Sequence, residues 1–385
     1  MRWPRDDAKL DRVRAAMEEA ELDAVVVRAP DNVLYLTNFW GMKGYDAAVF
    51  PREGEPTLIT LATSEADAAA TAWSSDVRFF DLYDSGDPRP PAARTLDLAR
   101  EASGGYERIA LELSLGTQAS DRMVGEPTTF TKAWFDAWPG AADATVLLNA
   151  TRAVKTPQEL ERRRIANEIA AAAMDHEKEQ LPPTMSESEA AALWQGHVHG
   201  QGTNRDDVDL ALAFSLVWSG EGIRTFTATG DRPVQENEPT LFEIWVCADG
   251  YWCDHTKNLC PDEPRAEYAE LEEQLLSVYE ILVNLCRPGQ SLAELDRAGR
   301  EAIAALGYAG QPSHPLCHGV GARAHEPPYA HQAGGGELAE GMVLAVEPGI
   351  YWEEGGGLRV EDNFLVTASG PEKLSSFPDG IVRCG

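Results

Sequence analysis

The stretch GMVLAVEPGIY, residues 341–351, places one acid, Glu347, between an apolar run and a Pro-Gly pair. Four other phrases also set ligating side chains among apolar or glycine neighbours. They are LFEIW (241–245), GYWCDHTKN (250–258), HGVGARAHEPP (318–328) and GGLRVEDNF (356–364). A lone buried carboxylate is costly unless it is paired or binds a metal. Five such phrases together therefore indicate a metal centre.

The residues that would form this centre are Glu243, Asp254, His318, Glu347 and Glu361. The first two lie on predicted strands on either side of a turn at 249–250, and a hairpin would bring both carboxylates to one place. Carboxylates with one imidazole suit Mn, Co, Fe or Zn better than copper or a thiolate site. Two such ions about 3.5–4 Å apart bridge a water, lower its pKa and polarise a carbonyl oxygen. This chemistry hydrolyses an amide or a related carbon–nitrogen bond.

Residues 1–150 are predicted to form a first domain of the α/β class. Predicted strands alternate there with predicted helices, which is typical of an α/β layer. The predicted helices cover 7–20 and 64–72, and a predicted hairpin surrounds 51–56. Further strands are predicted at 24–29, within 29–39, near 77–82 and near 108–112.

Residues 151–385 are predicted to form a second domain of the α+β class with an antiparallel sheet. Its opening helix has Thr156 as a fair N-cap and Pro157 at the first helical position, and we expect it to run to about Gln180. Further helices are predicted at 187–200, 265–286 and 291–305. Strands punctuated by glycine are predicted at 212–218, 240–248, 251–260, 342–351 and 358–367.

Composition excludes several classes of function. The formal net charge of −30 would repel nucleic-acid phosphates. No apolar run reaches the roughly 18 residues of a membrane span, and the first residues lack the apolar region of a signal peptide, so we expect a cytoplasmic protein. Six cysteines without a regular framework are expected to be reduced thiols. Only 7 of the 33 basic residues are lysine. Such an acidic, Lys-poor surface indicates a halophilic protein, adapted to a cytoplasm with a high salt concentration.

These phrases resemble the pita-bread (creatinase/aminopeptidase) metallopeptidase family, with Xaa-Pro dipeptidase and aminopeptidase P as the most similar members. GYWCDHT is similar to the family's GYxxDxT, HGVGARAHEPP to HGxGxxxHExP, GMVLAVEPGIY to GMVxxxEPGxY, and GGLRVEDNFLVT to GxRxEDxxLVT. The phrase RAPDNVLYLTNF (28–39) resembles a creatinase-type N-terminal domain. The resemblance implies a creatinase-like first domain, a pita-bread catalytic domain, two divalent ions, a short peptide substrate cleaved at Xaa-Pro bonds, and a homodimer.

The resemblance also implies a role for each proposed metal ligand. Asp254 and Glu361 would bridge the two ions. Glu243 would hold the first ion alone, and His318 and Glu347 would complete the second site.

Further roles are implied for the residues around these ligands. His325 would hydrogen-bond the scissile carbonyl or its oxyanion, and His314 matches a histidine on the substrate side. Arg359 would orient Glu361 or meet a substrate carboxylate. Independently of the resemblance, Arg323 lies between His318 and His325 and could meet an anionic substrate group or form a salt bridge at the rim. Glu347 would also move the proton of the bridging water.

The chain departs from the family's pattern at five positions. Glu243 and Trp245 stand where the family has Asp and Gly, Lys257 replaces an Arg, Cys317 replaces a Gly, and Phe226 lies where Xaa-Pro peptidases carry a His. These departures leave two alternatives open. One is a creatinase-like hydrolase or lyase of a small non-peptide C–N substrate with one metal or none. The other is a non-catalytic binding module with the same fold.

Overall fold

The protein forms two compact units, Met1–Arg152 and Ala153–Gly385, in a computed structural model. The structure describes residues 3–41, 45–82, 86–112, 128–203, 205, 207–224 and 227–384. Within these ranges, no helix has both the length and the apolar character needed to cross a membrane.

The first unit is an α/β layer, as the sequence predicts. Its helices are α1 (Asp7–Glu19), α2 (Pro30–Thr37), α3 (Glu65–Thr71), α4 (Pro91–Ser103), α5 (Thr128–Ala137) and α6 (Thr145–Ala153). Its strands are β1 (Ala24–Val27), β2 (Ala47–Pro51), β3 (Thr57–Leu61), β4 (Asp76–Phe80), β5 (Ile109–Leu111) and β6 (Ala142–Asp143). They form one mixed sheet in the order β4-β3-β2-β1-β5-β6.

Strand β1 lies at the centre of two hydrophobic cores. Its side chains alternate between them: Val25 and Val27 join one cluster with α1 and α2, and Ala24 and Val26 join another with α4. Because both faces of the sheet are covered, the strand is apolar at every position rather than at alternate ones.

The predicted strand within 29–39 is wrong, because this segment forms helix α2. Pro30 occupies a first-turn position of the helix, where its missing N–H is not needed. Asn38 ends the helix in the left-handed conformation, with φ of 59°. A short apolar run fits a buried strand and a buried helix equally well by pattern alone, and tertiary packing decided between them.

The second unit is an α+β domain, as predicted, and its sheets are antiparallel except for the parallel pair of β17 and β9. Its helices are α7 (Pro157–Gln180), α8 (Glu187–His197), α9 (Ala266–Leu285) and α10 (Leu292–Ala305). Its strands are β7 (Ala211–Ser219), β8 (Thr240–Ala248), β9 (Tyr251–Cys260), β10 (Cys317–Gly319), β11 (Glu326–Tyr329), β12 (Val343–Val346), β13 (Gly349–Tyr351), β14 (Gly357–Arg359), β15 (Asp362–Thr367), β16 (Gly370–Lys373) and β17 (Ile381–Arg383). The sheets have the orders β17-β9-β8-β7, β11-β10-β12-β15-β16 and β13-β14.

Helix α7 begins with a capping box. The Thr156 hydroxyl accepts a hydrogen bond from the Glu159 N–H at 3.3 Å, and the Glu159 carboxylate accepts one from the Thr156 N–H at 3.0 Å. Two backbone donors that the helix leaves unsatisfied are thereby paired. The predicted cap at Thr156 is confirmed.

Strands β8 and β9 form the predicted hairpin. Asp249 and Gly250, with φ of 46° and 86°, make the tight turn between them. The register pairs Trp245 with Asp254 and Glu243 with Thr256, so all four side chains lie on one face of the sheet.

The segments 342–351 and 358–367 are not the continuous strands that the sequence predicts. The first breaks at Glu347-Pro348, between β12 and β13, and the second breaks at Val360-Glu361, between β14 and β15. In both segments the chain passes between the five-stranded and the two-stranded sheet. Each crossing presents one acidic side chain, and its backbone stays hydrogen-bonded: the Glu347 N–H donates to the Leu316 carbonyl at 2.9 Å and the Glu361 N–H to the Thr256 carbonyl at 3.4 Å.

Helix α7 also buries a carboxyl group with no hydrogen-bond partner. Glu177 has a relative exposure of 0%, and neither carboxylate oxygen is hydrogen-bonded. Burial raises the pKa of Glu177 to about 8. The pKa of Glu177 is thus higher in the folded protein than in the unfolded chain, so ionisation of this carboxyl group lowers the free energy of unfolding. This loss of stability grows as the pH rises from about 4.5 to about 8.

We expect Glu177→Gln to raise the melting temperature at pH 8.5 by several degrees and to change it little at pH 5, because the amide carries no charge to bury. Thermal unfolding of both proteins at the two pH values tests this. Glu179→Gln, on an exposed position of the same helix, is the control. An equal shift at both pH values would show that the Glu177 charge does not matter to stability.

Candidate metal centre

Buried ligating atoms gather where β8, β9 and β10 meet the two strand crossings. Three overlapping groups have ligating atoms within 4.8 Å of one another: Asp254, His318 and His325; His318, Glu347 and Glu361; and Glu243, Asp254 and Glu361. All five side chains predicted as ligands belong to these groups. The structure thus brings together residues that are spread over more than a hundred positions in the sequence.

His318 presents a lone pair to the carboxylates. Its Nδ1 lies 3.0 Å from the Gly319 carbonyl, which requires a proton on that nitrogen. Its Nε2 has no hydrogen bond and lies 3.3 Å from Glu347 Oε1 and 3.6 Å from Asp254 Oδ2. Burial lowers the pKa of His318 to about 4, so the ring is neutral. A lone pair that faces two carboxylates at these distances fits a shared cation.

The carboxylates also indicate a site for positive charge. Burial, followed by the charges of Glu361 and Asp254, raises the pKa of Glu347 well above its usual range. Burial likewise raises the pKa of Glu361, against the opposing effect of Arg359. Like charges in a water-poor site disfavour one another, and divalent ions would relieve that repulsion. The donor set therefore fits the metal ions that the sequence predicts.

Arg359 connects several groups of the site. Its Nε donates to Thr256 Oγ1 at 2.7 Å, and that hydroxyl donates to Glu361 Oε2 at 2.8 Å. Its guanidinium also forms an ion pair with Glu243 and donates to the Tyr351 hydroxyl at 2.9 Å. The Arg359 cation thus lies at the carboxylate that would hold the first metal.

His314 belongs to the same network through Tyr351. Its Nδ1 lies 2.7 Å from the Pro315 carbonyl, so this nitrogen is the donor. Its Nε2 then accepts from the Tyr351 hydroxyl at 3.1 Å. Burial lowers the pKa of His314 to about 4. The neutral ring lies beside Glu347, with Nδ1 3.3 Å from Oε2.

His325 lies on the other side of Asp254. Its Nε2 is 3.4 Å from Asp254 Oδ2, and its ring stacks on that of His318 with centroids 4.3 Å apart. Burial lowers the pKa of His325 well below its usual range, so a neutral imidazole faces the cluster. Arg323 is half-buried in the bend between β10 and β11. Phe226 lies outside the described residues.

Asn363 holds the backbone of Asp254 from both sides. Its Oδ1 accepts from the Asp254 N–H at 3.2 Å, and its Nδ2 donates to the Asp254 carbonyl at 2.7 Å. Arg163, on helix α7, donates to the same Oδ1 at 3.2 Å. The position of Asp254 therefore depends on Asn363, which lies 109 residues later in the chain, and on Arg163 of helix α7.

A buried ion pair supports the segment that carries His325. Lys155 Nζ lies 2.8 Å from Glu326 Oε1, and the two side chains have exposures of only 1% and 3%. Glu326 directly follows His325, so the pair restrains the start of β11. In a buried pair of this kind, losing one partner leaves a charge that the interior opposes.

The sequence analysis gave no role to five side chains that contact the candidate ligands or the residues around them. These are Lys155, Arg163, Thr256, Tyr351 and Asn363. Thr256, Tyr351 and Asn363 lie within the quoted phrases, close in sequence to predicted ligands, so this closeness could have identified them from the sequence. Arg163 and Lys155 had no such signal, because they approach the site only through tertiary packing.

We expect Asn363→Ala to weaken metal affinity by roughly 10–100-fold, because the Asp254 backbone loses both of its side-chain contacts. Competition against a chelator, followed by calorimetry, would measure the change. The control is Asn167→Ala. Asn167 is equally buried and donates to the Arg163 carbonyl at 2.8 Å, within helix α7. Equal losses of affinity in the two variants would contradict the proposed support of Asp254.

Comparison with known proteins matches each of the two units to a known protein family. Residues 161–368 match metallopeptidase family M24, and residues 9–124 match the Creatinase/Prolidase N-terminal domain. The Xaa-Pro dipeptidase of Lactobacillus delbrueckii subsp. lactis is 26% identical to this chain over 367 residues, or 94% of this chain and 95% of the relative. The Xaa-Pro dipeptidase of Pyrococcus horikoshii is 25% identical over 377 residues, with 97% and 98% covered.

Solved structures show the same fold. The prolidase from Pyrococcus horikoshii OT3 superposes with a TM-score of 0.79 at 23% identity, covering 96% of this chain and 99% of its own. The Xaa-Pro dipeptidase from Bacillus anthracis superposes with a TM-score of 0.81 at 22% identity, covering 98% and 99%. The chain therefore belongs to metallopeptidase family M24, and it is a peptidase that carries a creatinase/prolidase-type N-terminal domain.

Proposed function

We propose that this peptidase is a dinuclear metal-dependent hydrolase that cleaves Xaa-Pro bonds in short peptides. The observation that carries the proposal is the overlap of the ligand groups, since Glu361 belongs both to the group with His318 and Glu347 and to the group with Glu243 and Asp254. One carboxylate common to two groups is what a pair of neighbouring ions requires. The names of the similar Xaa-Pro dipeptidases support the choice of substrate.

In this proposal Glu243, Asp254 and Glu361 hold one ion, and His318, Glu347, Asp254 and Glu361 hold the other. The bound ions would supply a bridging water of lowered pKa and a Lewis acid for the scissile carbonyl. Mn, Co, Zn and Fe all suit this set of oxygen and imidazole donors.

The remaining chemistry falls to side chains around the ligands. His325 donates a hydrogen bond to the scissile carbonyl oxygen, and this bond strengthens as negative charge develops there. The Glu347 carboxylate takes a proton from the attacking water and returns it to the leaving proline nitrogen. Arg359, with Tyr351 and His314 beside it, orients the substrate's carboxylate end.

The number of bound ions gives the first test. After dialysis against Mn, Co or Zn at high salt, we expect about two ions per native chain and about two in Glu243→Asp, since the shorter carboxylate keeps the same oxygen donors. Elemental analysis of the dialysed protein measures the ratio. One ion or none in the native chain, with two in Glu243→Asp, would mean that Glu243 has dismantled the first site. The dinuclear proposal would then be withdrawn.

The role of His325 gives the second test. We expect His325→Ala to lower kcat for an Xaa-Pro dipeptide by roughly 10²–10³ with metal content unchanged, because one donor to the oxyanion is lost. His331→Ala removes an exposed histidine and is the control. Turnover of creatine or another small non-peptide C–N compound, with none of any Xaa-Pro dipeptide, would favour the creatinase-like alternative.

A further inference from the structure

An aromatic surface lies on the same sheet face as the metal ligands. The register of β7, β8 and β9 places Phe214 beside Trp245 and Trp245 beside Asp254. The next row on that face is Leu216, Glu243 and Thr256. Phe214 and Leu216 belong to the edge strand β7 and are half-buried, whereas Trp245 is only 6% exposed. The metal cluster is therefore bordered on the β7 side by apolar rings.

Neighbouring rings hold Trp245 in place. Its ring centroid lies 5.2 Å from that of Phe214 and 6.2 Å from that of His325, and both pairs are tilted rather than parallel. Tilted aromatic pairs at these separations are favourable, and a large ring packed from two sides cannot rotate away without opening a cavity. The indole is therefore a rigid boundary.

The position of His325 identifies which part of a substrate meets this boundary. Under the proposed function, His325 binds the carbonyl oxygen of the residue that precedes proline. The side chain of that residue branches from the Cα, which is bonded to the carbonyl carbon, so it lies within reach of a ring packed against His325. The other end of the substrate would lie towards Arg359 and Tyr351, whose strands form a separate sheet.

We propose that Trp245, supported by Phe214, is the specificity-determining residue for the amino-terminal side chain, and that it restricts the enzyme to dipeptides with a small first residue such as Gly-Pro or Ala-Pro. This inference rests on the proposed Xaa-Pro activity. Trp245 acts by excluding volume. Bulky first residues such as leucine or phenylalanine would collide with the indole, which its neighbours prevent from moving aside.

The expected effect is a change in preference. One methylene group too many in a closed pocket changes kcat/KM by roughly 10–200-fold. We therefore expect the native enzyme to favour Ala-Pro over Leu-Pro, and Trp245→Ala to raise the ratio of kcat/KM for Leu-Pro to that for Ala-Pro by about tenfold or more. Phe214→Ala should change the ratio in the same direction by less, because it only loosens the support of the indole.

Two further variants test whether the change in substrate preference comes from the lost volume of the Trp245 side chain or from another effect of the substitution. Trp245→Phe keeps a ring at the boundary, so it should relax the preference less than Trp245→Ala. Trp194→Phe is the matched control, because Trp194 is a buried tryptophan of helix α8 and so lies outside the sheet that carries the candidate ligands. Both tryptophans also have a buried indole N–H without a hydrogen bond, so that loss is common to the two substitutions.

The experiment measures kcat/KM for Gly-Pro, Ala-Pro, Val-Pro, Leu-Pro and Phe-Pro with the metal-loaded native protein and the four variants, with metal content checked in each. An unchanged Leu-Pro to Ala-Pro ratio in both Trp245→Ala and Phe214→Ala would overturn the inference. Equal changes in Trp194→Phe and Trp245→Phe, with no further change in Trp245→Ala, would also overturn it.

Calorimetric binding of the same dipeptides separates this inference from the proposed function. If the native protein hydrolyses none of them, the proposed activity fails. The inference about Trp245 is then tested by the binding affinities of the dipeptides alone. Weaker binding of larger first residues that disappears in Trp245→Ala supports the boundary, and affinities that do not depend on size in the native protein reject it.

Discussion

The mutual repulsion of four buried carboxylates is the interaction on which the rest of the catalytic unit depends. Glu243, Asp254, Glu347 and Glu361 meet where little water can screen them, and such repulsion grows as the local dielectric falls. The chain offsets part of this repulsion with the Arg359 guanidinium. The remaining negative charge is what divalent ions would neutralise, so metal binding and the stability of this region are coupled.

A second set of buried charges lies behind the ligands. Asp362, next to Glu361, contacts Lys257 Nζ at 2.7 Å, His255 Nδ1 at 3.2 Å and Lys373 Nζ at 3.1 Å. Burial opposes ionisation of Asp362, but the nearby cations outweigh it and hold its pKa well below its usual range. Lys257, which stands where the family resemblance has arginine, thus serves the neighbouring carboxylate as a point charge rather than as a planar fork.

The other departures from the family's pattern have two different physical settings. Glu243 and Trp245 lie two residues apart on one face of β8, so both belong to the surroundings of the candidate group formed by Glu243, Asp254 and Glu361. Cys317 instead packs in the hydrophobic core with Leu316 and Val346, and burial raises the pKa of its thiol well above its usual range. The first pair bears on chemistry, whereas the buried thiol behaves as a small apolar side chain.

Short-range patterns of burial, turn chemistry and spacing were enough to predict the fold classes, the hairpin at Asp249-Gly250, the cap at Thr156 and the residues that gather at the candidate centre. Tertiary packing was needed to show that 30–37 is a helix, that two predicted strands break at Glu347 and Glu361, and that Arg163 and Tyr351 contact residues next to the candidate ligands. Local propensity leaves these features undetermined. They depend on which elements pack together, and contacts between residues a hundred positions apart leave no periodic pattern in a single sequence.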